Sequence, residues 1–133
     1  MTPDQELYDA VFEISQSLGF DTYDYLPAEG TKYPFVYLGQ TQEMPRAVKI
    51  AYMGEIAFTI HVYGELTNRK LISEMKSQLI ANIKRLNETS SFRWCYVDSA
   101  SQPTMMQEKE TDTTSLWHAI VPVTLKYINK GAI

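Results

Sequence analysis

Two hydrophobic periods alternate along the chain. In residues 3–18, Leu7, Ala10, Val11, Ile14 and Leu18 recur at three- and four-residue steps, which places them on one helical face. Thr2-Pro3-Asp4-Gln5 reads as a capping box, with Thr2 at the cap, Pro3 first in the helix and Gln5 reaching back. Gly19 supplies a left-handed stop over which Phe20 closes. A second helix is predicted from a cap at Thr67 or Asn68 to about residue 86, with Ile72, Met75, Leu79, Ile83 and Leu86 as its stripe and Leu71 and Ile80 on the flanks.

Elsewhere the period is two. A first strand is expected over about Pro34–Gln40, with Pro34 at its start, where a missing donor matters least. In "GEIAFTIHVYGE", Ile56, Phe58, Ile60 and Val62 alternate with Ala57, Thr59, His61 and Tyr63, and the first set should face the core. A third strand over about Phe92–Val97 puts Phe92, Trp94 and Tyr96 on one side. A fourth, about Leu116–Ile128, carries Trp117, Ala119, Val121, Val123, Leu125 and Tyr127. Pro122 stands on its opposite phase, and the lost donor predicts an edge strand or a bulge there. Residues 21–33, with Pro27 and Gly30, read as a loop; its tyrosines, Tyr23, Tyr25 and Tyr33, are expected to pack over the core edge with wet hydroxyls.

The order helix, two strands, helix, two strands has no repeating βαβ unit. It predicts one α+β domain over residues 1–133, a largely antiparallel sheet of about four strands with both helices on one face. The other face, which receives Tyr63, Cys95 and Val97, is less polar than a lone solvated sheet requires. Two excursions leave this frame, at about 40–54 and 98–115. Loops so long in a small domain are usually functional or disordered. Their apolar content favours contact with a partner, with Met44, Arg46, Lys49, Ile50, Tyr52, Met105 and Met106 as candidate interface residues. Whether residues 47–52 pair with the strand that follows is left open.

Composition narrows the function classes. A chain of 133 residues that is 44% hydrophobic and 21% charged is an ordinary globular domain. A net charge of -4 argues against nucleic acid as the main partner. A single cysteine, Cys95, offers no intrachain disulfide, and neither a secretory signal nor a membrane-length apolar run is expected. The charge is uneven. Residues 1–31 hold Asp4, Glu6, Asp9, Glu13, Asp21, Asp24 and Glu29 without a Lys or Arg. Residues 67–88 hold Arg69, Lys70, Lys76, Lys84 and Arg85 against Glu74 and Glu88. The two segments should attract, within one chain or between chains.

Candidate chemistry is sparse. His61 and His118 sit mid-strand on the phase opposite the apolar residues and would meet if their strands are neighbours, with Cys95 on the same face. Zinc accepts such ligands, yet no pair has the close sequence spacing of a metal site, and ordinary sheet-surface residues are expected. Phosphate-loop, dinucleotide and nucleophile-elbow signatures are absent. Glu108, Glu110 and Asp112 alternate without the glycine and closing glutamate of a calcium loop. No catalytic residue, no cofactor and no metal are therefore expected.

The succession "LYDAVFEISQSLGFDTYDYLP", "YPFVYLGQTQ", "GEIAFTIHVYG", "NRKLISEMKSQLIANI" and "DTTSLWHAIVPVTLKYI" covers nearly the whole chain. It resembles the tail terminator proteins (tail-completion or tail-to-head joining proteins) of long-tailed bacteriophages and related prophages. The resemblance implies a small α+β subunit of a ring, typically six-fold, that caps the tail tube, stops its polymerisation and docks to the head connector. It implies as partners the chain itself, a tail tube protein and a head-completion protein, with no catalytic residue, no cofactor, no nucleic acid as main partner and no membrane. The location it implies is the head–tail interface of a virion made in a bacterial cytoplasm. Against it stand a small ligand-binding or regulatory domain, with loop 21–33 as a pocket wall, and a small enzyme built on His61, His118 and Cys95.

Overall fold

The computed structural model describes residues 1–44, 53–98 and 102–132. Helix α1 spans Pro3–Ser17 and buries Leu7 and Val11. Thr2 holds the N-cap position, but its side chain makes no capping hydrogen bond, and Gln5 donates to Asp9 instead of reaching back. The predicted capping box is thus a cap by position alone. The C-terminal stop is as expected: Gly19 has φ +86°, and the N–H groups of Gly19 and Phe20 close on the carbonyls of Gln16 and Ser15, the doubly bonded turn that such a glycine permits.

Six strands follow the α+β plan: β1 Thr22–Tyr23, β2 Phe35–Glu43, β3 Met53–Glu65, β4 Phe92–Tyr96, β5 Thr104–Lys109 and β6 Ser115–Asn129. A short 3-10 turn, Leu66–Asn68, leads into helix α2, Arg69–Lys84. The sheet runs β1-β2-β3-β6-β4, with β5 also on β6, and every pair is antiparallel except β1 with β2. The Tyr33–Pro34 peptide is cis.

Two corrections concern count and length. The sheet has six described strands, not four. Neither excursion is as long as predicted: β2 continues to Glu43 and β3 begins at Met53, so both ends of the first belong to strands, and the second contains β5. Strand β5 reads "TMMQEK" and is half in solvent, so it lacks the apolar alternation that reveals a strand.

A third correction concerns Pro122. Strand β6 is no edge: it pairs with β3 along its whole length and with both β5 and β4 on its other side. Strand β5 takes residues 115–120 and β4 takes 125–129. The Thr124 carbonyl accepts from the Val97 N–H on that side, and the two-residue period turns the backbone of Pro122 the same way. Its missing donor therefore falls in the interval that β4 and β5 leave between them.

The core lies between the sheet and both helices. Ile56, Phe58, Ile60 and Val62 of β3, all fully buried, meet Val36 and Leu38 of β2 and Ala119, Val121, Val123 and Leu125 of β6. Leu7 and Val11 of α1 and Ile72, Met75, Leu79 and Ile83 of α2 cover them. Tyr8 stacks on Phe58 with centroids 5.6 Å apart. Gly64 lets α2 approach β3, since a Cβ there would overlap the Ile72 side chain. Between the pairs Leu38–Ile60 and Thr41–Phe58, Gly39 and Gln40 together face Thr59 alone, which is a bulge. Gly39 fits it because a Cβ would lie 2.8 Å from the Thr59 carbonyl oxygen.

Candidate functional site

The face of the sheet that the helices leave uncovered carries a band of rings. Phe35, Tyr37, His61, Tyr63 and His118 are brought together by register: Phe35 lies opposite Tyr63, Tyr37 opposite His61, and Tyr63 opposite His118. The rings stack in sequence. Tyr33 to Phe35 is 5.5 Å between centroids, Phe35 to Tyr63 is 5.2 Å and Tyr63 to His118 is 4.2 Å. His61 joins the band at 5.0 Å from His118 and 5.4 Å from Tyr37. Leu116 and His118 are 5% exposed although no helix covers them. The rings shield one another, which is how cross-strand aromatic pairs stabilise a sheet.

The two histidines do meet. His61 Nδ1 lies 2.7 Å from His118 Nε2, and His118 Nδ1 lies 3.3 Å from a Glu108 carboxylate oxygen. A carboxylate accepts, so neutral His118 carries its hydrogen on Nδ1 and accepts at Nε2 from the Nδ1–H of His61. Burial, and then the charge of His118, push the His61 pKa down, against a smaller upward pull from Glu108. The arrangement can hold and pass a proton. Cys95 shares the face but lies opposite Lys126, eight residues along β6 from His118 and so roughly 26 Å away. The His/His/Cys trio does not assemble. Among the described residues no three His, Cys, Asp or Glu side chains converge as a metal set.

At one end of the band, loop residues 26–31 with Tyr33, Phe35, Tyr63 and Leu116 enclose a cavity of about 330 Å³, bordered by Glu108, Lys109 and Glu110. Burial, and then the hydrogen bond to Glu110, push the Tyr33 hydroxyl up to about 12. Burial, and then the charge of Glu108, do the same for Tyr63, also to about 12. Of the loop tyrosines, Tyr23 packs edge-on against Phe35 at 5.6 Å, whereas Tyr25 is 62% exposed.

The candidate interface residues are spread apart. Met44 is exposed at the end of β2, where its N–H bonds the Glu55 carbonyl. Met106 is exposed on β5, opposite His118. Met105, opposite Ala119, instead packs on the core. Arg46, Lys49, Ile50 and Tyr52, like the open question of pairing at 47–52, lie outside the described residues. Of the two ways the acidic and basic segments could attract, within one chain or between chains, no direct ion pair supports the first: among the described residues the ion pairs are Lys84–Asp98, His118–Glu108, Lys126–Glu55 and Lys130–Glu88, none joining the helices.

Sequence reasoning missed a third feature. Glu6 of α1 is 6% exposed. One of its oxygens accepts from the Ser91 N–H at 3.0 Å, and the other, Oε2, has no hydrogen-bond partner. It lines a cleft of about 570 Å³ between α1 and residues 86–91. Burial raises the Glu6 pKa, but the Ser91 N–H, the nearby Thr89 and Ser91 hydroxyls and the chain's N-terminal ammonium outweigh it, leaving the carboxyl below its ordinary value. Nothing local in "PDQELYDA" signals this, because the covering loop comes from 85 residues away.

No protein-family model matches the chain, and no curated protein matches it.

Proposed function

We propose that the chain is a structural subunit of phage tail assembly. It forms a ring that caps the tail tube, stops tube growth and joins the tail to the head connector, at the head–tail interface of the virion. The observation that carries the proposal is the uncovered sheet face, whose ring band and flanking Ile120, Pro122 and Ile128 are half-buried or better without helix cover. A subunit enclosed by neighbours has a use for such a face; a free monomer has less. The nearly chain-long resemblance to tail terminators agrees with it, and so does the exposed Met44 just after the end of β2.

The test is electron microscopy of tails assembled with and without the protein. Loss of the protein is expected to give overgrown tails that carry no heads. Replacing Met44, Ile50 and Tyr52 by Ser should leave the domain folded and reproduce that defect. Normal tails without the protein would overturn the proposal.

A second reading is favoured by the cavity beneath residues 26–31: a small ligand-binding domain. It predicts that a metabolite raises the melting temperature and that Tyr63→Ala abolishes the rise. A screen of metabolites that leaves the melting temperature unchanged would remove it.

A further inference from the structure

The contact between His61 and His118 has room for one hydrogen and no more. At 2.7 Å one nitrogen must donate and the other accept, because a second hydrogen in that gap would face the first. The neutral pair meets this condition: His61 Nδ1–H donates to His118 Nε2, and His118 Nδ1–H donates to Glu108 at 3.3 Å. His61 Nε2 is then the nitrogen with a free lone pair, and it makes no hydrogen bond among the described residues. Gly39 keeps the approach to it clear, since a Cβ there would lie 3.1 Å from Nε2. Among the described residues, the titratable groups that face the pair are Tyr37 from β2, Tyr63 from β3 and Glu108 from β5; both helices lie on the other side of the sheet. Burial, and then Glu108, hold the Tyr63 hydroxyl up at about 12, so the Glu108 carboxylate is the charge that the pair meets near neutral pH.

A proton arriving at His61 Nε2 forms an N–H bond there. The His61 Nδ1 hydrogen can then cross to His118 Nε2, which moves the positive charge beside the Glu108 carboxylate. The hydrogen bond survives with its direction reversed, His118 Nε2–H donating to His61 Nδ1. A second proton has only His61 Nδ1 left to take it. Both facing nitrogens then carry hydrogen, both rings are cationic, and the contact turns repulsive.

We propose that His61, His118 and Glu108 form a two-step proton switch: the pair stores a first proton with its hydrogen bond kept, and a second proton parts the rings and opens the uncovered face. When the rings part, Tyr63 loses the imidazole stacked on it at 4.2 Å and Tyr37 the one at 5.4 Å. His118, 5% exposed, then carries a charge that needs solvation, so water must enter the ring band. Any contact made through this face becomes sensitive to acid. The switch depends on neither reading of the function.

The test is nitrogen NMR on the isotope-labelled full chain, titrated from pH 8 to pH 4. At pH 8 a coupling through the hydrogen bond should connect His61 Nδ1 with His118 Nε2. The first step should shift His61 Nε2 into the protonated range and leave that coupling in place. The second should abolish the coupling and most of the near-ultraviolet dichroism, while far-ultraviolet dichroism stays unchanged. Coupled groups titrate as a pair, so His118→Gln should leave a single step without the near-ultraviolet loss. Glu108→Gln, which keeps an acceptor for His118, should move the first step to lower pH by at least about 0.5 unit. No coupling at pH 8, a coupling lost with the first proton, or a first step that Glu108→Gln leaves in place overturns the switch. So does an acid transition that His118→Gln repeats in full, which would be general unfolding.

Discussion

On the helix-covered face of the sheet the side chains are aliphatic and interchangeable in kind: Ile56, Ile60, Val62, Val121 and Val123 are fully buried and make no directional bond. On the other face the burial is done by rings and imidazoles, each fixed by the ring beside it. The first face is held by volume, the second by order. A volume-filled core responds to every lost methylene, whereas a stacked surface responds to charge and to what covers it.

The largest expected effect is on the covered face. Phe58→Ala removes a fully buried ring stacked by Tyr8 and should destabilise by about 3–5 kcal/mol in urea unfolding. A smaller loss would mean that the face repacks and is less rigid than its burial implies. Next comes Gly64→Ala, which forces a methyl into Ile72 and should cost about 1–3 kcal/mol. Shortening the neighbour with Ile72→Ala in the same chain should recover part of it, and strict additivity would separate the two residues.

The open face should answer to pH. His61 is held neutral by burial and by His118, so its folded pKa lies below the unfolded value, near 6.5. Above that value the shift has no effect on stability. As pH falls below it the unfolded chain takes up the proton first, and stability drops until pH passes the folded pKa. Melting temperatures between pH 8 and pH 5 should show this decline, and His61→Gln should flatten it. An equally steep decline in the variant would assign the effect to other groups. Smallest of all should be Thr59→Ala, half-exposed between two core residues, at under about 0.5 kcal/mol. A cost approaching that of Phe58→Ala would mean the two faces had been exchanged by a one-residue slip.

Sequence patterns carried far on the covered face and little on the open one, and the physical reason is the same contrast. Aliphatic burial leaves a periodic trace, so α1, the α2 stripe and the inward phase of β3 were all legible. Trp117 and Tyr127, assigned inward with the rest of β6, are half-buried rather than buried. Edge strands leave a fainter trace: β5 is polar on its wet side, and the polar end of β2 resembled a loop. The meeting of His61 and His118 depends on β3 lying beside β6, which neither segment announces. The Glu6 cleft depends on a loop folding back over the first helix.

The central ladder of the sheet bears on how the chain becomes this fold. Strands β3 and β6 pair from Glu65–Leu116 to Met53–Ile128, residues 51 to 75 apart in sequence. Neither strand finds its main partner until almost the whole chain is available, and both β4 and β5 need β6 as their template. Contacts so distant slow folding, because the entropy of closing the intervening chain is spent before the ladder repays it. During synthesis the apolar edge of β3 is complete long before β6 arrives. Truncation before residue 115 should leave a chain that aggregates rather than a smaller domain. The last seventh of the sequence is thus what closes the earlier segments into one sheet.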